Sequence, residues 1–218
     1  VVLPKEVSPT EKAHVERINR IALVAFFAHI PIFAGVAWLC ETGPLFAVAL
    51  SLLTLFGPTV AYFQLRSHRA ISAVFGFTAM CMGGLLVHFG QGPMQIEMHF
   101  YFFVLLALLA TYGNPAVNIL AAATAAVHHF LLWILLPSSV FNYDASIWVV
   151  LVHALFVVIE TVAAVFIARS FYDNVIGLEK IVAARTREVE ARNRDMRRVL
   201  DHVAQGLLTL TPSGQIGD

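Results

Sequence analysis

The chain has 218 residues, 59% of them hydrophobic and 13% charged, with a mean hydropathy of +0.77. That balance excludes an ordinary soluble domain and places the chain in a membrane. Fourteen basic and fourteen acidic residues leave a formal net charge of zero, which argues against a nucleic-acid partner, and two cysteines, Cys40 and Cys81, define no disulfide framework.

A polar segment, 1–18, precedes the first apolar run. That run does not read as a signal peptide, because it is too long, follows an eighteen-residue polar stretch and lacks a clear small-residue cleavage site. Six runs are then near the length of about 20 residues that a helix needs to cross the hydrocarbon core: 19–39, 44–65, 71–89, 96–112, 116–136 and 147–168. The breaks carry turn formers: Glu41-Thr42-Gly43-Pro44, Gly90-Gln91-Gly92-Pro93, Gly113-Asn114-Pro115 and Pro137-Ser138-Ser139. Proline lacks the donor a helix interior needs, and glycine loses more freedom there than other residues. The loops are short, so neighbouring helices are expected to run antiparallel. The fold class is therefore all-α, a polytopic membrane bundle of six transmembrane helices over 19–169.

Orientation follows from the basic residues. Lys5, Lys12, Arg17 and Arg20 precede the first span, Arg66 and Arg69 follow the second, and Arg169 opens a basic stretch after the sixth. The opposite side offers only Glu41, Glu97 and Asp144. The positive-inside rule then puts both termini in the cytoplasm.

After Phe171 the composition turns polar. Val175, Val182, Val189, Met196 and Val203 recur every seven residues, with Leu178, Arg185, Arg192 and Val199 three positions further on. This is the seam of a weak parallel coiled coil over 170–200, a cytoplasmic signalling helix that would pair two copies of the chain. A single amphipathic helix lying on the membrane is the alternative. Residues 201–218 resemble the start of a PAS-type domain, with a strand beginning at Gly206-Leu207 and a turn at Pro212-Ser213-Gly214. Eighteen residues cannot complete that fold, so a longer protein with an output module is expected.

Ionisable groups inside the spans are costly, roughly +2.5 to +3.5 kcal/mol for a charged side chain at a helix centre, and mark function by default. His99, His128, His129 and His153 fall in the outer halves of the fourth, fifth and sixth spans, with Glu97 beside them and His88 at the end of the third. Counting inward along each helix, His99 is about one turn deep, His129 roughly 10 Å and His153 roughly 9 Å. Three imidazoles from three helices in one layer is how bundles build metal sites. Imidazole suits copper, zinc and iron, and a carboxylate completes the set or orients a histidine.

Glu97 and His99 are two apart and point about 200° apart on a regular helix, so both reach one ion only if the span begins unwound. His128 and His129 point about 100° apart, and either is a candidate ligand. Tyr101, Tyr143, Glu160 and His29 are candidates for the surrounding shell. His29 is equally readable as an interhelical hydrogen-bond former, His88 as an interfacial anchor and Cys81 as a small core residue.

The string Glu97-Met98-His99-Phe100-Tyr101-Phe102-Phe103, followed by His128-His129 and by His153, resembles a family of six-helix membrane sensor modules. These precede histidine kinase, chemoreceptor or diguanylate cyclase outputs in bacteria. The resemblance covers about 71–168. This chain has Tyr101 and Tyr143 where that family often carries further histidines. The resemblance implies an input module in the bacterial inner membrane, surrounded by lipid, homodimeric through its signalling helix and attached to an output, most simply a histidine kinase acting on a response regulator. No catalytic constellation is present in the sequence. Three rival readings are a b-type haem sensor with two axial histidines, a metal-free proton sensor and a histidine-rich membrane metalloenzyme.

Overall fold

A computed structural model describes residues 3, 4 and 6–207. Among them the fold is helical throughout, without strands. Seven helices follow in order: α1 Pro9–Leu39, α2 Pro44–Gln64, α3 His68–Phe89, α4 Gln95–Leu109, α5 Pro115–Leu135, α6 Ile147–Phe171 and α7 Leu178–Leu207. Six helices are long and apolar enough to cross a membrane, as the composition requires. The chain divides into two compact units, one ending at Ile176 and the other beginning at Gly177.

Helix starts are set by local chemistry. Ser8 caps α1 by accepting the amide of Glu11 at 3.1 Å, with Pro9 as the first helical residue. The segment that reads as a polar leader is therefore helical from Pro9, ten residues before the first apolar run. Ser67 caps α3 through the amide of Ala70 at 3.3 Å, and Asn114 caps α5 through that of Ala116 at 3.1 Å, again with proline next. Such caps satisfy amides that the first turn leaves without partners.

The fourth span tightens into a 3-10 turn over Ala110–Tyr112 and ends at Gly113, whose φ of 65° is left-handed. A Cβ there would also lie 2.7 Å from the Ile176 side chain. The left-handed backbone is what favours glycine here, since the Ile176 methyl ends a flexible side chain that can turn aside.

Short loops make α1 to α6 alternate in direction. One end of the unit gathers the starts of α1, α3 and α5 with the ends of α2, α4 and α6; the other gathers the ends of α1, α3 and α5 with the starts of α2, α4 and α6. Thr42 donates to the Phe89 carbonyl at 2.8 Å, tying the α1–α2 loop to the end of α3. α3 is the most enclosed helix, with Phe75, Met80, Met82, Val87 and Phe89 all removed from the surface. α6 buries little beyond Val150, Ala164 and Ala168. Its remaining face is Leu, Val, Ile and Phe, the composition expected of a surface that meets lipid.

At the first end, Glu11 is 2% exposed and accepts two bonds from Arg69, at 2.5 and 2.8 Å. Arg69 also donates to the Pro4 carbonyl at 2.7 Å, and the Tyr172 hydroxyl donates to Glu11 at 3.3 Å. A bidentate pair of this kind gains geometric fit as well as charge. It joins α1, α3 and the π turn Tyr172–Ile176 after α6.

The second unit is described by α7. Val182, Val189, Met196, Val199 and Val203 are exposed on it. Its ion pairs, such as Arg192 with Glu188 at 3.0 Å, are exposed and each adds little. The helix runs through Leu207, so a strand does not begin at Gly206-Leu207; backbone hydrogen bonding continues α7 past the point where a change was expected. The expected turn at 212–214 lies outside the described residues.

Candidate functional site

Three of the sequence-selected histidines meet between α4, α5 and α6. The ring centroid of His99 lies 5.5 Å from that of His129 and 6.0 Å from that of His153, and the last two are 6.5 Å apart. The equal depths reckoned from rise per residue thus correspond to one layer in space.

Each ring is oriented the same way. The Nδ1–H of His99 donates to the Gln95 carbonyl at 2.8 Å, that of His129 to Ala125 at 2.8 Å and that of His153 to Val149 at 3.0 Å, always four residues back. A carbonyl oxygen only accepts, so Nδ1 carries the proton and the neutral ring keeps its lone pair on Nε2. A backbone bond that fixes tautomer and ring direction is the usual support of a metal-binding imidazole. The His99 Nε2 is buried with no hydrogen-bond partner.

The surroundings hold this arrangement. Gln95 is buried, and its side chain donates to the Ser138 carbonyl at 2.9 Å, tying the start of α4 to the α5–α6 connection. Phe141, from that connection, stacks on His99 at 6.3 Å and meets His153 edge-on at 5.6 Å. Phe102 packs edge-on against His129 at 4.9 Å. Beside the three rings is a cavity of about 470 Å³ with walls from α4, α5 and α6.

Three imidazoles on one tetrahedral zinc, with Zn–N about 2.0–2.1 Å, have ring centroids about 5 Å apart. The observed separations of 5.5, 6.0 and 6.5 Å are wider than that. Among the described residues no three His, Cys, Asp or Glu groups are already drawn to ligand distance.

The adjacent pair on α5 separates. His129 faces the trio, whereas His128 turns towards α3, where a Cβ on Gly84 would lie 2.4 Å from its Nε2. Its Nδ1 is buried without a partner, so His128 borders the trio from the α3 side, 5.3 Å from His129 between ring centroids. His88 bonds through Nδ1 to the Ser139 hydroxyl at 2.8 Å and packs against Phe46 and Phe89.

α4 is regular from Gln95, so its start is not unwound; Glu97 is exposed on a different side from His99. Tyr101 points to α1 and hydrogen-bonds His29, whose Nδ1–H donates to the Ala25 carbonyl at 2.6 Å. His29 is thus an interhelical hydrogen-bond former. Tyr143 lines the cavity and rests on Phe141 at 5.9 Å. Glu160 is half-buried on α6, two turns from His153. Cys81 is a half-buried free thiol on α3.

Gln95, Phe141, Ser139 and Gly84 were not singled out by sequence reasoning. A glutamine one turn before a membrane histidine was the available signal for the first; the others act through tertiary contacts that have no local pattern. No family model, curated protein or solved structure matches the chain.

Proposed function

We propose that the chain is the membrane input module of a bacterial signalling protein, with His99, His129 and His153 holding a transition metal ion in the half of the bundle away from the cytoplasm. The observation that carries this reading is the meeting of three imidazoles from three helices, each with Nδ1–H committed to a backbone carbonyl and Nε2 left as a lone pair. Copper, zinc and iron suit such a donor set. His128 is the nearest further imidazole, and Glu97 lies on the exposed side of α4.

A haem b needs two opposed histidines with a porphyrin between them. Here, whichever two of the three are paired, the third ring stands within 6.0 Å of one of them, in the space a macrocycle would occupy. A bare ion is the better fit. Three ligands leave a further coordination position, open to a stimulus that is the metal, its redox state or a bound small molecule. The sixth span would pass the resulting helix movement to a signalling helix paired in a homodimer, and from there to a PAS domain, a histidine kinase and its response regulator.

The test is metal content per chain by inductively coupled plasma mass spectrometry, on protein purified in detergent without a metal-affinity column. Near one copper, zinc or iron per chain is expected, falling at least tenfold in His99→Ala and His153→Ala. Unchanged content in both variants would remove these residues from the site, and a metal-free wild type would turn the reading to proton sensing.

A further inference from the structure

We infer that the cavity beside the three histidines receives an uncharged, hydroxyl-bearing aromatic molecule directly from the membrane. The inference rests on the trio being the functional site and adds the class of molecule that reaches it.

The mouth points to the route. Ile96 and Phe100 on α4, Phe130 on α5, and Leu151, Val152 and Phe156 on α6 line the cavity and are also exposed. They belong to segments long and apolar enough to cross a membrane. Exposed surface on such segments faces hydrocarbon, so the entrance opens on lipid, where a charged molecule would be strongly disfavoured.

The walls point to the shape. Phe102, Phe103 and Phe141 join Phe100, Phe130 and Phe156 around a volume of about 470 Å³. Pockets for organic ligands run from about 300 to 1,000 Å³, so a diatomic gas would leave most of this one vacant, whereas a substituted ring would fill it against aromatic faces.

The trio points to the functional group. With Nδ1–H committed to the backbone, each neutral ring offers only a lone pair at Nε2. A hydroxyl donates to such an atom, and its oxygen also ligates an ion held there. A carbonyl or ether does only the latter. Wherever the rings are metal-free, a quinol is therefore preferred over both the corresponding diether and the quinone.

The experiment titrates the full chain in lipid nanodiscs, zinc-loaded and metal-free, with trimethylhydroquinone and with its dimethyl ether, which partitions into lipid but has no hydroxyl. Calorimetry on the metal-free chain is expected to show at least tenfold tighter binding of the hydroquinone. That preference should be lost in Ala126→Phe and Ala154→Phe, which fill the cavity from two different helices, while zinc content is retained. Either variant alone suffices if the other does not fold. Equal binding of the two compounds, or binding untouched by a cavity-filling variant that folds and keeps its zinc, would mean partition into lipid and overturn the inference while leaving the metal reading intact. Failure to load zinc with the preference preserved would overturn the metal reading alone.

Discussion

At the scale of single residues, the position of His128 depends on what is missing from α3. A Cβ at Gly84 would sit 2.4 Å from the His128 Nε2 and 2.9 Å from the Cε1 beside it. Neither contact is tolerable, and a ring carried on a packed helix has little room to yield. Gly84→Ala is therefore expected to cost about 1–3 kcal/mol through overpacking and to push α5 away from α3, reducing metal content as well. Gly35, around which a Cβ meets nothing within 4 Å, is the matched control: Gly35→Ala should leave both unchanged. Thermal unfolding in detergent with metal analysis on the same samples reads both effects, and a Gly84→Ala protein as stable and as metal-rich as the parent would show that α3 does not confine His128. Much of the site at this scale was legible in the sequence. An imidazole in an apolar span is conspicuous, and a rise of 1.5 Å per residue suffices to place three of them at one depth. Which of His128 and His129 faces the others was not legible, because a 100° difference between neighbours says nothing about where the adjoining helices lie.

At the scale of elements, Glu11 and Arg69 join the ends of α1, α3 and the π turn beyond α6. In sequence they were two charges among several flanking the spans, and Arg69 counted only towards orientation. Their partnership spans 58 positions and leaves no local trace. The carboxylate is almost fully enclosed and receives three hydrogen bonds, two from Arg69 and one from the Tyr172 hydroxyl. Removing one partner strands a buried charge, which typically costs about 3–5 kcal/mol, whereas removing both can be nearly neutral. Arg69→Met is thus expected to lower the melting temperature sharply and Glu11→Gln to do so less, since the amide keeps volume and an acceptor. The double variant should recover much of the Arg69→Met loss. Equal melting temperatures for all four proteins would show that the pair does not hold these elements together. Element boundaries were legible where proline and glycine mark loops, as at Gly43-Pro44 and Gly113-Asn114-Pro115. They were misjudged at α1, where the Ser8 cap and Pro9 start the helix well before its apolar part.

At the scale of the whole molecule, the proposed function gives the two ends different work. Phe171 lies eighteen positions beyond His153 on α6, about 27 Å at helical rise, so under that proposal an event at the trio would have to travel most of a membrane thickness to reach the polar end of the unit. If two chains pair along the heptad residues of α7, as proposed, a cysteine at Val182 should yield disulfide-linked dimers on mild oxidation; persistent monomer would count against the seam.

Direction is tested separately, after replacing the free thiols Cys40 and Cys81 by serine. Asp144→Cys, in the connection before α6, is expected to react with a membrane-impermeant maleimide on intact bacterial cells. Arg66→Cys, between α2 and α3, should react only after permeabilisation. The basic residues all flank one end of the bundle, and the trio lies towards the other, so this labelling pattern would place the stimulus site outside and the signalling helix inside. The reverse pattern would put the histidines at the cytoplasmic face and require the stimulus to be an intracellular metal or reductant.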